Sequence, residues 1–584
     1  MNNELFNHPA FKTRSELLQV DDRVTLAYDR AKAVFKAWST SYAAPCSQYS
    51  CVLIMVSPDL NVEEIVTCSK RFWEMQADPI IVLDVGCSNI LGCHINLFLG
   101  TLGALLPRRP DLGPVISQAL RCEFFGNFLL SEVAHGLDIM NLETTATRVQ
   151  DGFILHTPHP GAAKFMPPTT PIRGYPKMAI VLAKLIVDGK EHGTHPFLVA
   201  TSDGRRMCAG IASIRLPPRS GSSPLDYAIT TFDQVHLPPS AFLGFSMENP
   251  ANRQTLLHRY IWRIGVGSMA IPMNSVTATS FIATIGADYS FRRHVQGKGS
   301  EKVPIISFRT QQLPILHATA IAYVLEAWRP HAIEQFMEQG IDPRVRHGLA
   351  VVFKTTVCRL VTMCAQDVGE RLGAQGTFVH NLISQMEMDN RGISIAEGDI
   401  LVLCIRLFSE LLLERYSLPQ PSRQDTLLAR HSAHMFSACS SLLSSFPRGH
   451  KDERFNSIIL PQCEAAISAL GQAMAYSFAL DDGVPKPLLD LFECAMIKQD
   501  SAWYVEHVGV TGDIRRDWED LAAKATLPDL RDYVDALGVR AWVTAPIISD
   551  EAWKDWLPLL KVHRSPSRIE QNEAEDAIRL MAKL

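Results

Sequence analysis

The sequence predicts a mainly α-helical protein with one β domain set into its first half. Two observations carry this reading: the spacing of the apolar residues, and the places where Gly, Pro and Asp interrupt it. From about Val20 to Leu130 apolar residues recur at helical spacing; from Ser131 to Gly244 they form short runs rich in Val, Ile, Phe and Thr; after Gly244 helical spacing returns in long segments. A chain of 584 residues is too long for a single core, and about three or four domains are expected.

Taken in order, Thr25 to Trp38 reads as a helix, Asn61 before Val62-Glu63-Glu64 as the N-cap of another, and Asn89 to Leu106 as an apolar helix stopped by Pro107-Arg108-Arg109-Pro110. Residues 1–130 form a first helical domain on this reading. Strands are expected at Phe153 to His156, Ala179 to Val187, Pro196 to Thr201, Ile211 to Leu216 and Tyr227 to Val235. They are punctuated by Asp151-Gly152, Asp188-Gly189 and Asp203-Gly204 and closed by Pro238-Pro239, giving a β domain over 131–244. Leu256 to His294, Ser307 to Gln335, Val345 to Leu372 and Asp399 to Tyr416 would make a bundle of long helices over 245–420. Pro419 and Pro421 mark a boundary, and 421–584 reads as a last helical domain.

Composition removes several classes of function. With 47% hydrophobic and 20% charged residues the balance is that of a globular protein, and a net charge of −5 gives no reason to expect nucleic acid as a partner. The 13 cysteines include no C-x-x-C pair, so buried free thiols in a reducing compartment are expected. No signal-peptide core stands at the N-terminus. The uncharged stretch Ile264 to Ala287 is long enough to cross a membrane, but seven Ser, Thr and Asn residues stud it and Pro272 interrupts it; a buried bundle helix, and no membrane span, is expected. No metal-ligand spacing, Gly-x-Ser-x-Gly elbow or Walker loop occurs. Gly265-Val266-Gly267-Ser268-Met269-Ala270, with Asp288 following, has the form of a dinucleotide fingerprint, but Leu256 to Arg263 before it is helix-like and no βαβ alternation surrounds it. The C-terminal Ala582-Lys583-Leu584 is close to the tripeptide read by the peroxisomal import receptor, which makes a peroxisomal location the expectation.

Ser131-Glu132-Val133-Ala134-His135-Gly136, followed by Leu142-Glu143-Thr144-Thr145-Ala146-Thr147, resembles the signature of the peroxisomal acyl-CoA oxidases. Further matches fall in the family's order: Ala162-Ala163-Lys164, Phe232 to Pro238, Tyr289-Ser290-Phe291-Arg292-Arg293, Thr310-Gln311-Gln312, Gly373-Ala374-Gln375-Gly376 and Glu397-Gly398-Asp399. The resemblance covers about Val20 to Tyr416. It implies the acyl-CoA dehydrogenase/oxidase architecture: an N-terminal helical domain, a middle β-barrel domain, a C-terminal helical bundle and an extra helical domain. It also implies FAD as cofactor and α,β-desaturation of an acyl-CoA or related thioester, with O2 reoxidising the flavin to give hydrogen peroxide.

On this resemblance Glu397 is the base that removes the substrate's α-proton. Read locally, Glu397 is an acid favoured by the dipole of the helix that opens near Asp399. Ser131, Gly136, Phe165 and Met166 match positions around the flavin ring. Arg292 and Arg293 match the paired arginines that reach the cofactor's pyrophosphate across a subunit interface, which implies a homodimer; their local reading is a solvated helix end. Gln311, Gln312, Gly373, Gln375 and Gly376 match positions near the dinucleotide. Departures gather around the substrate: Phe165-Met166-Pro167-Pro168-Thr169 replaces an aromatic-Pro-Gly-Gly stretch, Met140 and Asn141 stand where Arg-Gly is usual, Ala396 replaces an aromatic before the base, and His294 replaces a Gln. They point to a specialised acyl group. Two other readings fit the same resemblance: a flavin-dependent monooxygenase that needs no α-proton base, and a catalytically silent subunit that binds no flavin.

Overall fold

The computed structural model describes residues 3–39, 60–563, 579 and 581. The terminal Ala582-Lys583-Leu584 and nearly all of the tail from Gln571 lie outside them.

Helix α1 (Val20–Ser39) buries Val24, Ala27, Tyr28, Ala31, Val34 and Phe35. The N-cap expected at Asn61 is a full capping box: Asn61 Oδ1 accepts the Glu64 amide at 3.0 Å, and Glu64 Oε2 accepts that of Asn61 at 3.2 Å. The apolar run before Pro107 is continuous helix from Val85 to Leu105, π-helical over Gly92–Leu99. Helical spacing through Leu130 is corrected at its end, where Phe125–Leu129 is a strand, β1. Its five residues are all buried, so no in–out alternation marks it in the sequence.

The remaining strands are β2 (Thr145–Val149), β3 (Gly152–His156), β4 (Lys164–Pro168), β5 (Lys177–Val187), β6 (Lys190–Ser202), β7 (Ile211–Arg215), β8 (Tyr227–Phe232) and β9 (Val235–Leu237). Strand β5 is the spine of the larger sheet. It pairs antiparallel with β6, and parallel with β1 over Lys177–Val181 and then β2 over Lys184–Ile186; β3 and β9 continue the sheet antiparallel. A second sheet has the order β4-β8-β7. Leu129, Ala146, Phe153, Leu155, Val181 and Phe197 are among the residues of a core belonging to the β domain itself. Buried Asp226 ties this domain to α1, accepting hydrogen bonds from Tyr28 at 2.9 Å, Thr170 at 2.8 Å and Lys177 at 2.7 Å.

The expected helix Leu256 to His294 is three helices: Arg253–Tyr260, α2 (Trp262–Ala270) and α3 (Pro272–Arg292), with Pro272 in the first turn of α3, where its missing N–H costs nothing. Every residue of α3 from Pro272 to Asp288 is buried, and several of its hydroxyls are bonded, as Thr279 to Ser275 O and Ser275 to Asn390. With α4 (Arg309–Met337), α5 (Pro343–Arg371), α6 (Ile383–Ile395) and α7 (Ile400–Leu412) it forms the bundle. Val85–Leu105 and α5 are long and apolar enough to cross a membrane, yet 72% and 83% of their most apolar windows are buried inside the molecule, as in core helices. Helices Cys463–Asp481 and Lys486–Gln499 of the last segment pack on α4, where His317 meets Leu491 O and Glu519. The cysteines among the described residues are unpaired and most are buried.

Candidate active site

The site is built on the turn between α6 and α7. Glu397 has φ +55°, a left-handed conformation that costs a non-glycine residue about 1–3 kcal/mol unless its surroundings hold it. Gly398, at φ +102°, adopts what only glycine adopts freely. Three contacts fix the turn. Lys354 Nζ on α5 donates to Ala396 O and Gly398 O at 2.5 and 2.6 Å, and Ser268 Oγ on α2 donates to Glu397 O at 2.9 Å. Asp399 caps α7, accepting the amides of Leu401 at 3.0 Å and Val402 at 3.3 Å. The acid bonded to the start of α7 is therefore Asp399, not Glu397.

The Glu397 carboxylate instead lies against Gly267. A Cβ at Gly267 would stand 1.4 Å from Glu397 Oε2, so this glycine is the space the carboxylate fills. Oε2 is shut off from solvent and has no hydrogen-bond partner. Burial pushes the carboxyl well above its ordinary range, to about 8, while the charges of Lys354 and Arg263 oppose the rise. Arg263 is itself buried; it donates to Asn96 O at 3.0 Å and Ile65 O at 3.1 Å, and its Nη2 has no partner. A carboxylate with one buried, unpaired oxygen and a raised proton affinity has the properties of a general base.

Ser131 and Phe165 are brought together on the β domain: the Phe165 amide donates to Ser131 O at 3.0 Å. Phe165 is exposed, Met166 packs partly buried on the main core, and Gly136 faces open space. Thr169 at the end of this stretch is buried, its hydroxyl bonded to Ser213 and Thr230. Glu132, to which the sequence reading gave no role, holds the loop in shape. Its buried carboxylate accepts the amides of Glu143 at 2.7 Å and Thr144 at 2.9 Å and pairs with Lys164 Nζ at 2.9 Å. Glu143 in turn accepts an Nε2–H from His135 and another from His159, both at 2.6 Å, and these hold its carboxyl down at about 2. Truncating one partner of a buried ion pair strands the other charge, so Glu132→Ala is expected to cost about 3–5 kcal/mol in chemical denaturation, most of it recovered in Glu132→Leu/Lys164→Met.

The β domain is fixed to α6, the helix that precedes the turn bearing Glu397. Asp389 on α6 accepts hydrogen bonds from the Ser222 hydroxyl, the Ser223 amide at 3.0 Å and the Ser223 hydroxyl at 3.2 Å, and Gln385 donates to Ser223 Oγ at 3.1 Å.

The residues matched to the dinucleotide side divide. Arg292 pairs within the chain, its guanidinium meeting Asp550 at 2.7 Å and Ile547 O at 3.1 Å. Arg293 is exposed, with no side-chain hydrogen bond or ion pair among the described residues. Gln312 turns inward to Ile306 O, whereas Gln311 joins α3 to the end of α5 through Ser290 Oγ and Arg371 O. Gly373 has φ +60°, Gln375 accepts from Asn381, and a Cβ at Gly376 would collide with Gly369 O. At this junction Arg309 Nη1 and Arg371 Nε are buried donors with no partner, which suits an anionic group; the residues present fit the phosphate side of a dinucleotide. Asp288, the acid of the rejected fingerprint, pairs with Arg540. Of the tentative substrate positions, Met140 and Ala396 are exposed, and Asn141 donates both its bonds to Asp138 within its own loop.

Lys354, Arg263, Gly267, Glu132, Arg309 and Arg371 escaped the sequence reading. A signal existed for two of them: Lys354 is a lone cation in the apolar run Val351-Val352-Phe353, and Gly267 lies in the fingerprint that was set aside.

The described residues thus form a helical bundle packed with a β domain, with one buried carboxylate oxygen on a turn between two bundle helices. No family model matches the chain. Acyl-coenzyme A oxidase 3 of Yarrowia lipolytica is 26% identical over 362 residues, covering 56% of this chain and 50% of that protein. The chain thus spans about half the length of the curated relatives it matches. Among solved structures, acyl-CoA oxidase 1 of Yarrowia lipolytica superposes with a TM-score of 0.79 at 17% identity over 99% of this chain and 92% of that one. Acyl-CoA oxidase-2 of Caenorhabditis elegans, bound with FAD, ascaroside-CoA and ATP, superposes with a TM-score of 0.70 at 16% identity over 99% and 98%. The chain is similar in sequence to acyl-CoA oxidases and shares their fold.

Proposed function

We propose that this protein desaturates an acyl-CoA, or a related acyl thioester, to the trans-2-enoyl thioester, with FAD as bound cofactor and O2 as the final acceptor. The observation that carries the reading is Glu397: a carboxylate whose Oε2 is shut off from solvent and unpartnered, on a turn held by Lys354 and Ser268. The thioester carbonyl acidifies the α-proton, and Glu397 takes it on the carboxylate. When bound, FAD would supply the acceptor for the β-hydride; Ser131, Gly136, Phe165 and Met166 would hold its ring end, and Gln311, Arg309, Arg371 and the Gly373–Gly376 turn would hold its phosphate side. The exposed, unpaired Arg293 supports a contact reached from a second copy, hence a homodimer. Met140, Asn141 and Ala396 support a specialised acyl group.

The test is the visible spectrum of the purified protein under anaerobic mixing with a panel of acyl-CoAs. At least one is expected to bleach the flavin, and admitting air should restore the colour with formation of hydrogen peroxide. A flavin-loaded protein that no acyl-CoA bleaches contradicts the reading, and a colourless protein points to the silent subunit.

A further inference from the structure

We propose that Lys354 is the positioning residue for Glu397: its ammonium holds the carbonyls on either side of the base, and its charge keeps the base ionisable in a dry site. The inference rests on the reading of Glu397 as the base. Lys354 stands on the middle of α5, fully buried, 43 residues before the residue it serves. A buried ammonium ordinarily takes a carboxylate partner; this one takes two carbonyl oxygens, those of Ala396 and Gly398. Both carbonyls flank a left-handed Glu397, so the same cation clamps the strained conformation and lies close enough for its field to act on the carboxylate. Nζ donates to backbone alone, which leaves the carboxylate unblocked and able to accept a proton.

The charged and titratable groups around the pair are few. Arg263 on α2 faces the carboxylate, as does Cys93 from the π-helical stretch, whose thiol is pushed up by burial and by that charge. Cys358 and His347 on α5, with Asp399 and Cys404 at the start of α7, face the ammonium. Among them only Arg263 shares with Lys354 the task of favouring the ionised base.

Three variants separate geometry from charge. Lys354→Met removes both, Lys354→Gln keeps two N–H donors without charge, and Lys354→Arg keeps the charge. The direct readout is the carboxylic acid band of Glu397 in infrared difference spectra taken across pH, assigned by its loss in Glu397→Gln. Lys354→Met and Lys354→Gln are expected to move its titration up by roughly one pH unit or more, with Lys354→Arg close to wild type. The pH profile of kcat should move in the same direction, with KM for acyl-CoA little changed. Should Lys354→Met fail to fold, Lys354→Gln carries the same test. A titration unmoved in both neutral variants overturns the inference. Full activity in Glu397→Gln overturns the reading of the base instead, a result visible without any Lys354 variant.

Discussion

Glu397→Gln is expected to slow flavin bleaching by acyl-CoA by about a hundred- to ten-thousand-fold, the range general-base catalysis supplies, while leaving the flavin bound. Glutamine matches the shape of the carboxyl but takes no proton. The same change is expected to stabilise the protein at alkaline pH. The folded-state pKa is raised to about 8, against 4.5 for the free side chain, so the stability linked to this carboxyl is fully present below the unfolded value and is lost as pH rises through the folded one. Thermal unfolding of wild type and variant should therefore agree most closely near pH 5 and diverge toward pH 8, the variant gaining about 1–3 kcal/mol there. A variant that desaturates at the wild-type rate removes the role of base from Glu397.

Gly267→Ala is expected to reduce the rate about as far without touching an ionisable group. The new Cβ would lie 1.4 Å from Glu397 Oε2, so the carboxylate has to leave its seat. Overpacking of this kind costs about 1–3 kcal/mol of stability, measurable by urea unfolding. Displaced into water, the carboxyl should titrate lower, near an exposed glutamate. Glu397→Ala added to Gly267→Ala should recover the lost stability and cost little further activity, because the two changes remove one interaction. Wild-type kcat in Gly267→Ala would mean that the seat seen against Gly267 is not where the base works.

Much of the fold was legible because its boundaries are written in local chemistry. The N-cap at Asn61 and the stop at Pro107 each depend on a few adjacent residues, whereas the expected single helix Leu256 to His294 is broken at Ile261 and Ile271. Strand β1 was not legible, because Phe125-Gly126-Asn127-Phe128-Leu129 is buried on both faces and Gly126 packs against Phe98 from a distant helix. The candidate base was found through the ordered resemblance; its own neighbourhood suggested only an acid favoured by the dipole of the next helix, which Asp399 caps. Lys354 and Gly267 were not legible as site residues for a different reason: they approach Glu397 from α5 and α2, and only tertiary packing brings the three together. Arg292 was legible as a motif residue, but its pairing with Asp550 was not.

The most direct measurement of the central claim, that a carboxylate on this turn removes an α-proton from an acyl thioester, is a single-turnover isotope effect. The protein would be mixed anaerobically with the acyl-CoA that bleaches it fastest, in protiated form and with deuterium at the α-carbon. The expected result is a several-fold slower bleaching of the deuterated substrate in the wild type, with Glu397→Gln slow for both. Bleaching at one rate for both isotopologues, unaltered by Glu397→Gln, would contradict it.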